Sequence, residues 1–365
     1  MKKQKRFVFI SIALVLILAF SLAGCGGGKA QSGGSASSTS GGGSSNEVIN
    51  WSFYCAYGPE DGACCVIWPQ LFKEIEEKTN GRLVITTYWE GQHPYAEDDM
   101  LKVIEDGSAE LAFFYSGYVS SVEPIFSADA LPLMLPADSM QAWKVMSGLW
   151  GNFSGDKSGY LEGLLQDRWN ASMVHMVPAS PQRFFTAGFP VTDMDSLKGH
   201  KIRTYSSDLA KLVEIMGGTP VPISFSEVYT SLATNLIDGL ITSTAFAESG
   251  GFFDYTDNVG VWEIAQGTDG MMVDLDALAA LPADIRDVFQ TVMRTSAQKP
   301  EMMELDDTDE LVSRLKADGV VFTVPGGAER DQLRAACKDK IWDAWLAQVG
   351  DEGQKLLDEI DRLNK

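Results

Sequence analysis

His200-Lys201-Ile202-Arg203-Thr204-Tyr205-Ser206-Ser207-Asp208-Leu209-Ala210-Lys211-Leu212-Val213-Glu214-Ile215-Met216-Gly217-Gly218 opens the stretch whose reading decides the fold. His200 to Tyr205 reads as a strand. Ser206 or Ser207 then caps a helix whose apolar face is Leu209, Leu212, Val213 and Met216. Gly217-Gly218 ends that helix in the manner of a left-handed C-cap. Val221 to Ile223 returns as a strand, and Ser224-Phe225-Ser226-Glu227 is a capping box. The helix it opens carries Val228, Leu232 and Leu236 four apart, Asp238-Gly239 closes it, and Leu240 to Thr244 is the next strand. Strand, helix, strand, helix, strand with short connections predicts a sheet of parallel strands covered by helices.

The same pattern occurs earlier in the chain. Val48 to Tyr54 reads as a strand, Val66 to Lys78 as a helix with Ile67, Leu71 and Ile75 four apart, and Leu83 to Trp89 as a second strand. A helix from about Ala96 to Glu105, stopped by Gly107, leads to a third strand at Leu111 to Tyr115. Two such units predict an α/β chain of two lobes, each a mostly parallel sheet flanked by helices, with a cleft between them. The C-terminal third reads as helices over Ala279 to Gln298, Met302 to Lys316 and Ala328 to Leu363, with a short strand at Val320 to Phe322. The expected division is 47–180 plus about 268–308 for the first lobe, and about 181–267 plus about 309–365 for the second.

Ligands of open α/β sheets sit beyond the carboxyl ends of the strands. In the second lobe those ends carry Arg203, Phe225, Thr242 and Ser243; in the first they carry Cys55 to Tyr57, Tyr88 and Trp89, and Tyr115, Ser116, Gly117 and Tyr118. Facing each other, they make an aromatic-walled cleft with a guanidinium on one side. A desolvated Arg forks two N–H groups toward a carboxylate, each charge-assisted bond being worth roughly 1.5–3 kcal/mol. The expected ligand is therefore a small carboxylate.

Phe72-Lys73-Glu74-Ile75-Glu76-Glu77-Lys78-Thr79-Asn80-Gly81-Arg82, Leu131-Pro132-Leu133-Met134, Leu197-Lys198-Gly199-His200-Lys201-Ile202-Arg203 and Glu227-Val228-Tyr229-Thr230-Ser231-Leu232 followed by Asp238-Gly239 occur in this order. The ordered set resembles the DctP-type solute-binding proteins of tripartite ATP-independent periplasmic (TRAP) transporters. That resemblance implies a two-lobed, periplasmic-binding-protein-like fold with strands crossing between lobes, a long bridging helix, and hinge closure on an organic acid. It also implies delivery to membrane permease subunits driven by an ion gradient and a monomeric state; no cofactor is expected, and three His and five Cys leave little material for a metal centre. The family's carboxylate-binding arginine matches Arg203, a second arginine used by some members matches Arg183, and its aromatic residue ahead of the Glu-Val-Tyr helix matches Phe225. The chain departs from the pattern after Asp238-Gly239: many members carry a Glu-Asn pair where Ile241 and Thr242 stand here.

Lys2, Lys3, Lys5 and Arg6 precede an apolar run from Phe7 to Leu22 that ends in Leu22-Ala23-Gly24-Cys25. This resembles a bacterial lipoprotein signal, so 1–24 is expected to be removed and Cys25 lipidated, anchoring the mature chain outside the cytoplasmic membrane. Residues 25–46 are then an anchor followed by a Gly/Ser tether that has no apolar surface to bury. Of the other cysteines, the spacing leaves two states open for Cys55, Cys64 and Cys65: a bridge between the first and one of the others, or buried thiols.

Across its 365 residues the chain holds 29 Lys and Arg against 50 Asp and Glu, a net charge of −21. Such an acidic chain has no electrostatic footprint for nucleic acid. No Cys-x-x-Cys or His-Glu-x-x-His spacing occurs, and Gly-x-Ser-x-Gly is absent. These absences weigh against metal or nucleophilic catalysis, so the chain reads as a receptor and not an enzyme. A binding protein of an ATP-driven importer or a sensor would share the same fold and cleft, and only the partner would differ.

Overall fold

The computed structural model describes residues 47–59, 63–151, 157–178, 180–297 and 309–365. The expected signal segment, Cys25 and the Gly/Ser tether lie outside them. Among the described residues no helix is long and apolar enough to cross a membrane.

Two sheets organise the chain. The first holds β1 (Ile49–Tyr54), β2 (Leu83–Tyr88), β3 (Leu111–Tyr115), β4 (Ala171–Pro178) and β10 (Thr268–Asp274), in the order β2-β1-β3-β10-β4. The second holds β5 (Arg183–Thr186), β6 (Lys201–Thr204), β7 (Thr219–Pro222), β8 (Gly239–Thr242), β9 (Asn258–Gly260) and β11 (Val321–Thr323), in the order β11-β9-β5-β8-β6-β7. Their central strands are buried on both faces, and Phe53, Phe113, Phe114, Phe184, Phe185 and Trp68 fill the cores beneath the helices.

The strands read from the sequence lie where expected, and each parallel set is real: β1 pairs β2 and β3 in parallel, as β6 pairs β7 and β8. Each sheet is mostly parallel, as expected, with a single strand running against the rest that makes it mixed. β10 runs antiparallel to both β3 and β4, and β5 runs antiparallel to β8 and β9. These antiparallel strands come from crossings between the lobes. One crossing leads from β4 to β5 through Ser180 and Gln182, and the other from β9 to β10 through 261–267. They pair with each other, Gln182 N donating to Ala265 O at 2.8 Å and Ile264 N to Gln182 O at 2.8 Å. Gly267-Thr268-Asp269-Gly270 is turn-forming in composition, so β10 carries no strand signal until β3 and β4 take up its hydrogen bonds.

The C-terminal helices depart from the expected division, which placed 309–365 with the second lobe. Helix Gly327–Cys337 touches helix Ser207–Ile215 of that lobe. Helices Asp343–Val349 and Asp351–Leu363 instead pack on Pro124–Ala130 and Ser139–Trp150 of the first. The reason is burial: Trp345, Leu356 and Ile360 find their cover there, and Trp345 Nε1 donates to Pro124 O at 2.7 Å. Lys338–Trp342 forms a π-helical turn between the two halves, so Gly327–Val349 is one continuous bridging helix. Arg330 Nε donates to Trp262 O, Arg334 Nε to Leu133 O and Trp342 Nε1 to Pro132 O, which ties this helix to the Leu131–Met134 segment and the crossing. Leu133 and Glu263 there hold left-handed backbones at φ 59° and 47°, a strain that persists where surrounding contacts over-determine it.

No disulfide joins the described cysteines, and Cys55, Cys64 and Cys65 are buried thiols, Cys64 Sγ lying 3.8 Å from Cys65 Sγ. Burial and mutual contact push the Cys65 thiol far above its ordinary range, contact with Cys55 and Cys64 being the larger cause.

Candidate functional site

The lobes meet over an enclosed cavity. The first lobe contributes Tyr57, Tyr115, Tyr118 and Asp269; the second contributes Arg203, Tyr205, Phe225, Thr242, Ser243 and Phe246. Ser180 and Gln182 of the β4–β5 crossing form its back. Each position follows from a strand end. Tyr115 closes β3, Arg203 stands near the end of β6, Thr242 closes β8, and Phe225 follows β7. Ser243 caps the helix Thr244–Ser249, its hydroxyl accepting from Phe246 N at 3.3 Å.

Arg203 is 1% exposed. Its Nε donates to Ile223 O at 3.0 Å, and its Cζ lies 5.3 Å from the centre of the Tyr205 ring. Its Nη2 is buried and has no hydrogen-bond partner among the described residues. A buried guanidinium with an idle donor is costly unless something pairs with it.

Tyrosines and phenylalanines make the walls. The Tyr115 and Tyr205 hydroxyls lie 2.9 Å apart, a hydrogen bond between the lobes. Tyr118 packs edge-on against both rings, at 4.9 and 5.6 Å. Tyr57 meets Phe246 at 5.0 Å and Phe225 at 6.2 Å, again across the lobes. Gly117 and Gly267 make room for Tyr115: a Cβ on either would fall 2.5 Å from its ring. Burial, first of all, raises the hydroxyls of Tyr57, Tyr115, Tyr118 and Tyr205, so all four are neutral donors at physiological pH. A second contact between lobes runs from Phe225 N to Glu97 Oε1 at 3.1 Å. Burial raises the Glu97 carboxyl, while the Arg203 charge and the Phe225 N–H pull it down.

Inside the cavity the centre of a water molecule can occupy only about 20 Å³. That is room for about one water and not for an organic acid. A solute therefore enters only when the lobes part and the Tyr115–Tyr205 contact opens. On the far side of Tyr118 and Tyr205 lies an open cleft of about 560 Å³, bounded by Glu97, Ser121, Ser206, Ile223 and Glu227.

Of the residues read from the sequence, Arg203, Phe225, Thr242, Ser243, Tyr115 and Tyr57 line the cavity, and Arg183, Trp89 and Ser116 do not. Arg183 is 4% exposed, but its Nη1 donates to Thr244 Oγ1 at 3.0 Å and its Nη2 to Glu263 Oε1 at 2.7 Å. Trp89 follows β2, the edge strand, and is carried away from the centre. Ser116 turns toward the second crossing, its Oγ accepting from Thr268 N at 2.9 Å. Tyr118 lies on the expected edge and also lines the cavity, while the reading passed over Ser180, Gln182, Tyr205, Phe246 and Asp269. Tyr205 stands just past β6 beside Arg203, which was a usable signal; Phe246 sits on the helix that follows β8, and Ser180, Gln182 and Asp269 depend on the crossings.

Two lobes, paired crossings and an enclosed seam between them define the two-lobed solute-binding class of fold. The model of bacterial extracellular solute-binding protein, family 7 (DctP), matches residues 69–348, and the chain belongs to that family. It is 23% identical over 316 residues to the ectoine-binding periplasmic protein TeaA of Halomonas elongata, spanning 85% of this chain and 89% of TeaA. It is 20% identical over 290 residues to the 2,3-diketo-L-gulonate-binding periplasmic protein YiaO of Escherichia coli, spanning 79% and 84%. Among solved structures it resembles DctP6, a Bordetella pertussis extracytoplasmic solute receptor binding pyroglutamic acid, with a TM-score of 0.75 and 20% identity over 86% of this chain and all of that one.

Proposed function

We propose that the chain is an extracytoplasmic receptor, not an enzyme, that captures a small organic acid by hinge closure and delivers it to an ion-gradient-driven TRAP permease. The carrying observation is Arg203, which lines the cavity and whose buried Nη2 has no partner among the described residues. Closing over a carboxylate pairs that donor, and closing over nothing strands it, so closure is coupled to the right class of solute. Thr242 and Ser243 add hydroxyls beside Arg203, and the aromatic walls cover the rest of the solute. Arg183 serves the crossing, where Glu263 holds it, and does not touch the solute.

The reading includes a lipid anchor at Cys25, supported by the basic start, the short apolar run and the Leu-Ala-Gly-Cys stretch. Metabolic labelling with an alkyne fatty acid should mark the wild-type chain and leave Cys25→Ser unlabelled. For the solute, a thermal-melt screen with keto, hydroxy, di- and amino acids at 1 mM, and neutral sugars as controls, is the direct test. A micromolar ligand at that concentration adds about 4 kcal/mol. Melting shifts confined to carboxylates are expected; shifts with neutral sugars alone would overturn the assignment of Arg203.

A further inference from the structure

Asp269 is the one carboxylate that lines the cavity among the described residues. It is 2% exposed, stands on β10 directly opposite Tyr115, and reaches the cavity from the lobe facing Arg203. Its charge acts on Tyr57, Tyr115 and Tyr205, three of the aromatic residues that line the same cavity. Glu97, an acid that feels the Arg203 charge, accepts from Phe225 N and borders the outer cleft instead.

The enclosed space thus presents a guanidinium on one wall and a carboxylate on the other. A plain carboxylate solute would pair with the first and be repelled by the second, in surroundings from which water has been excluded. A solute carrying both charges would meet an opposite charge on each wall and leave the closed cavity electrically balanced. We infer that the cavity takes a zwitterion: a small molecule that offers its carboxylate to Arg203 and a cationic N–H group to Asp269. This rests on the cavity being the solute site and on Arg203 being its anchor. Asp269 is then the residue that separates amino-type acids from hydroxy acids, which differ from them in little but that cation.

Isothermal titration of the full chain in detergent with matched pairs tests it: L-proline against cyclopentanecarboxylate, L-alanine against L-lactate, and L-phenylalanine against L-3-phenyllactate. In at least one pair the zwitterion should bind tenfold or more tighter than its isosteric anion. Asp269→Asn should erase or invert that preference while keeping the anion's affinity, which also certifies that the variant is folded. Arg203→Ala should weaken both members at least a hundredfold. Anions that bind as tightly as their zwitterions, with Arg203→Ala abolishing both, overturn the inference and leave the carboxylate anchor standing. Binding by no member of any pair at 10 mM overturns both.

Discussion

Arg183 and Arg203 are both buried arginines of the second sheet, and their surroundings are opposite in kind. Arg183 stands where β5 leaves the first crossing, and Glu263 and Thr244 take up both its Nη groups. Glu263 comes from the second crossing, so this ion pair pins the two inter-lobe segments together. Arg203 lines the cavity, spends one donor on a backbone carbonyl, and has a buried Nη2 without a partner among the described residues. A satisfied buried charge is structure, and an unsatisfied one is a place prepared for something else. The same residue type, on two strands of one sheet with β8 between them, thus serves the crossings in one region and, in our proposal, the solute in the other.

The hardest test of this contrast is Arg203→Ala. It should cost about 3–5 kcal/mol of solute affinity, or two to three and a half decades in Kd by calorimetry, because the solute's carboxylate is then buried unpaired. The ligand-free melting point should stay within a few degrees, since the change removes a charge that nothing had paired. Arg183→Met should do the reverse, leaving Glu263 unpaired beside the crossing. It should lower stability to urea by about 3 kcal/mol, with a smaller change in affinity. Adding Glu263→Leu should recover most of that loss, as apolar replacement of buried pairs generally does.

A third test extends the contrast to buried groups that titrate. Burial raises Asp129 to about 6, although its Oδ2 accepts from Thr268 Oγ1 at 2.6 Å. Its unfolded value is near ~3.9, so its contribution to stability is complete below about pH 4 and is lost as pH climbs to 6. Burial lowers His175 to about 4, where Trp68 Nε1 donates to its Nδ1 at 3.1 Å. That contribution is complete above about pH 6.5 and is lost as pH falls to 4. Each arm is worth about 3 kcal/mol, and they run in opposite directions across the same window. Asp129→Asn removes the first arm, so its stability relative to wild type should rise by about 3 kcal/mol between pH 4 and 7 in urea titrations. A relative stability that stays level would mean Asp129 titrates near its ordinary value.

The smallest effect belongs to the contact between lobes at the cavity wall. Tyr205→Phe deletes the hydrogen bond to Tyr115 and should weaken the closed state by about 0.5–1.5 kcal/mol, a two- to tenfold rise in Kd. An unchanged Kd would show that the hydroxyl pair forms only when the cavity holds no solute.

Much of the fold was legible in the chain because local physics writes it there. Alternating and buried apolar runs mark β1, β2, β3, β6 and β8, while Ser206 marks a helix start by accepting from Leu209 N, and Ser224 marks one through Glu227, whose carboxylate accepts from the Ser224 N–H. Such strands end at a common edge, so Arg203, Phe225, Thr242, Tyr57 and Tyr115 could be placed on the seam from their positions alone. What stayed hidden is what one segment borrows from another. β9 is three residues long and β10 begins in a turn-like Gly-Thr-Asp-Gly, so both become strands only because β5, β3 and β4 offer them ladders. Asp269 rides on β10 and reached the cavity unseen. Arg183, in turn, has the sequence surroundings of a solute ligand, and only Glu263, 80 residues away, withdraws it. The sequence by itself determined the two α/β units, the carboxyl-end edge and Arg203, through periodicity and caps that act over a few residues. The crossings, the mixed sheets and the charge facing Arg203 were decided by tertiary structure, because a buried hydrogen bond or ion pair is satisfied by whatever the fold brings near.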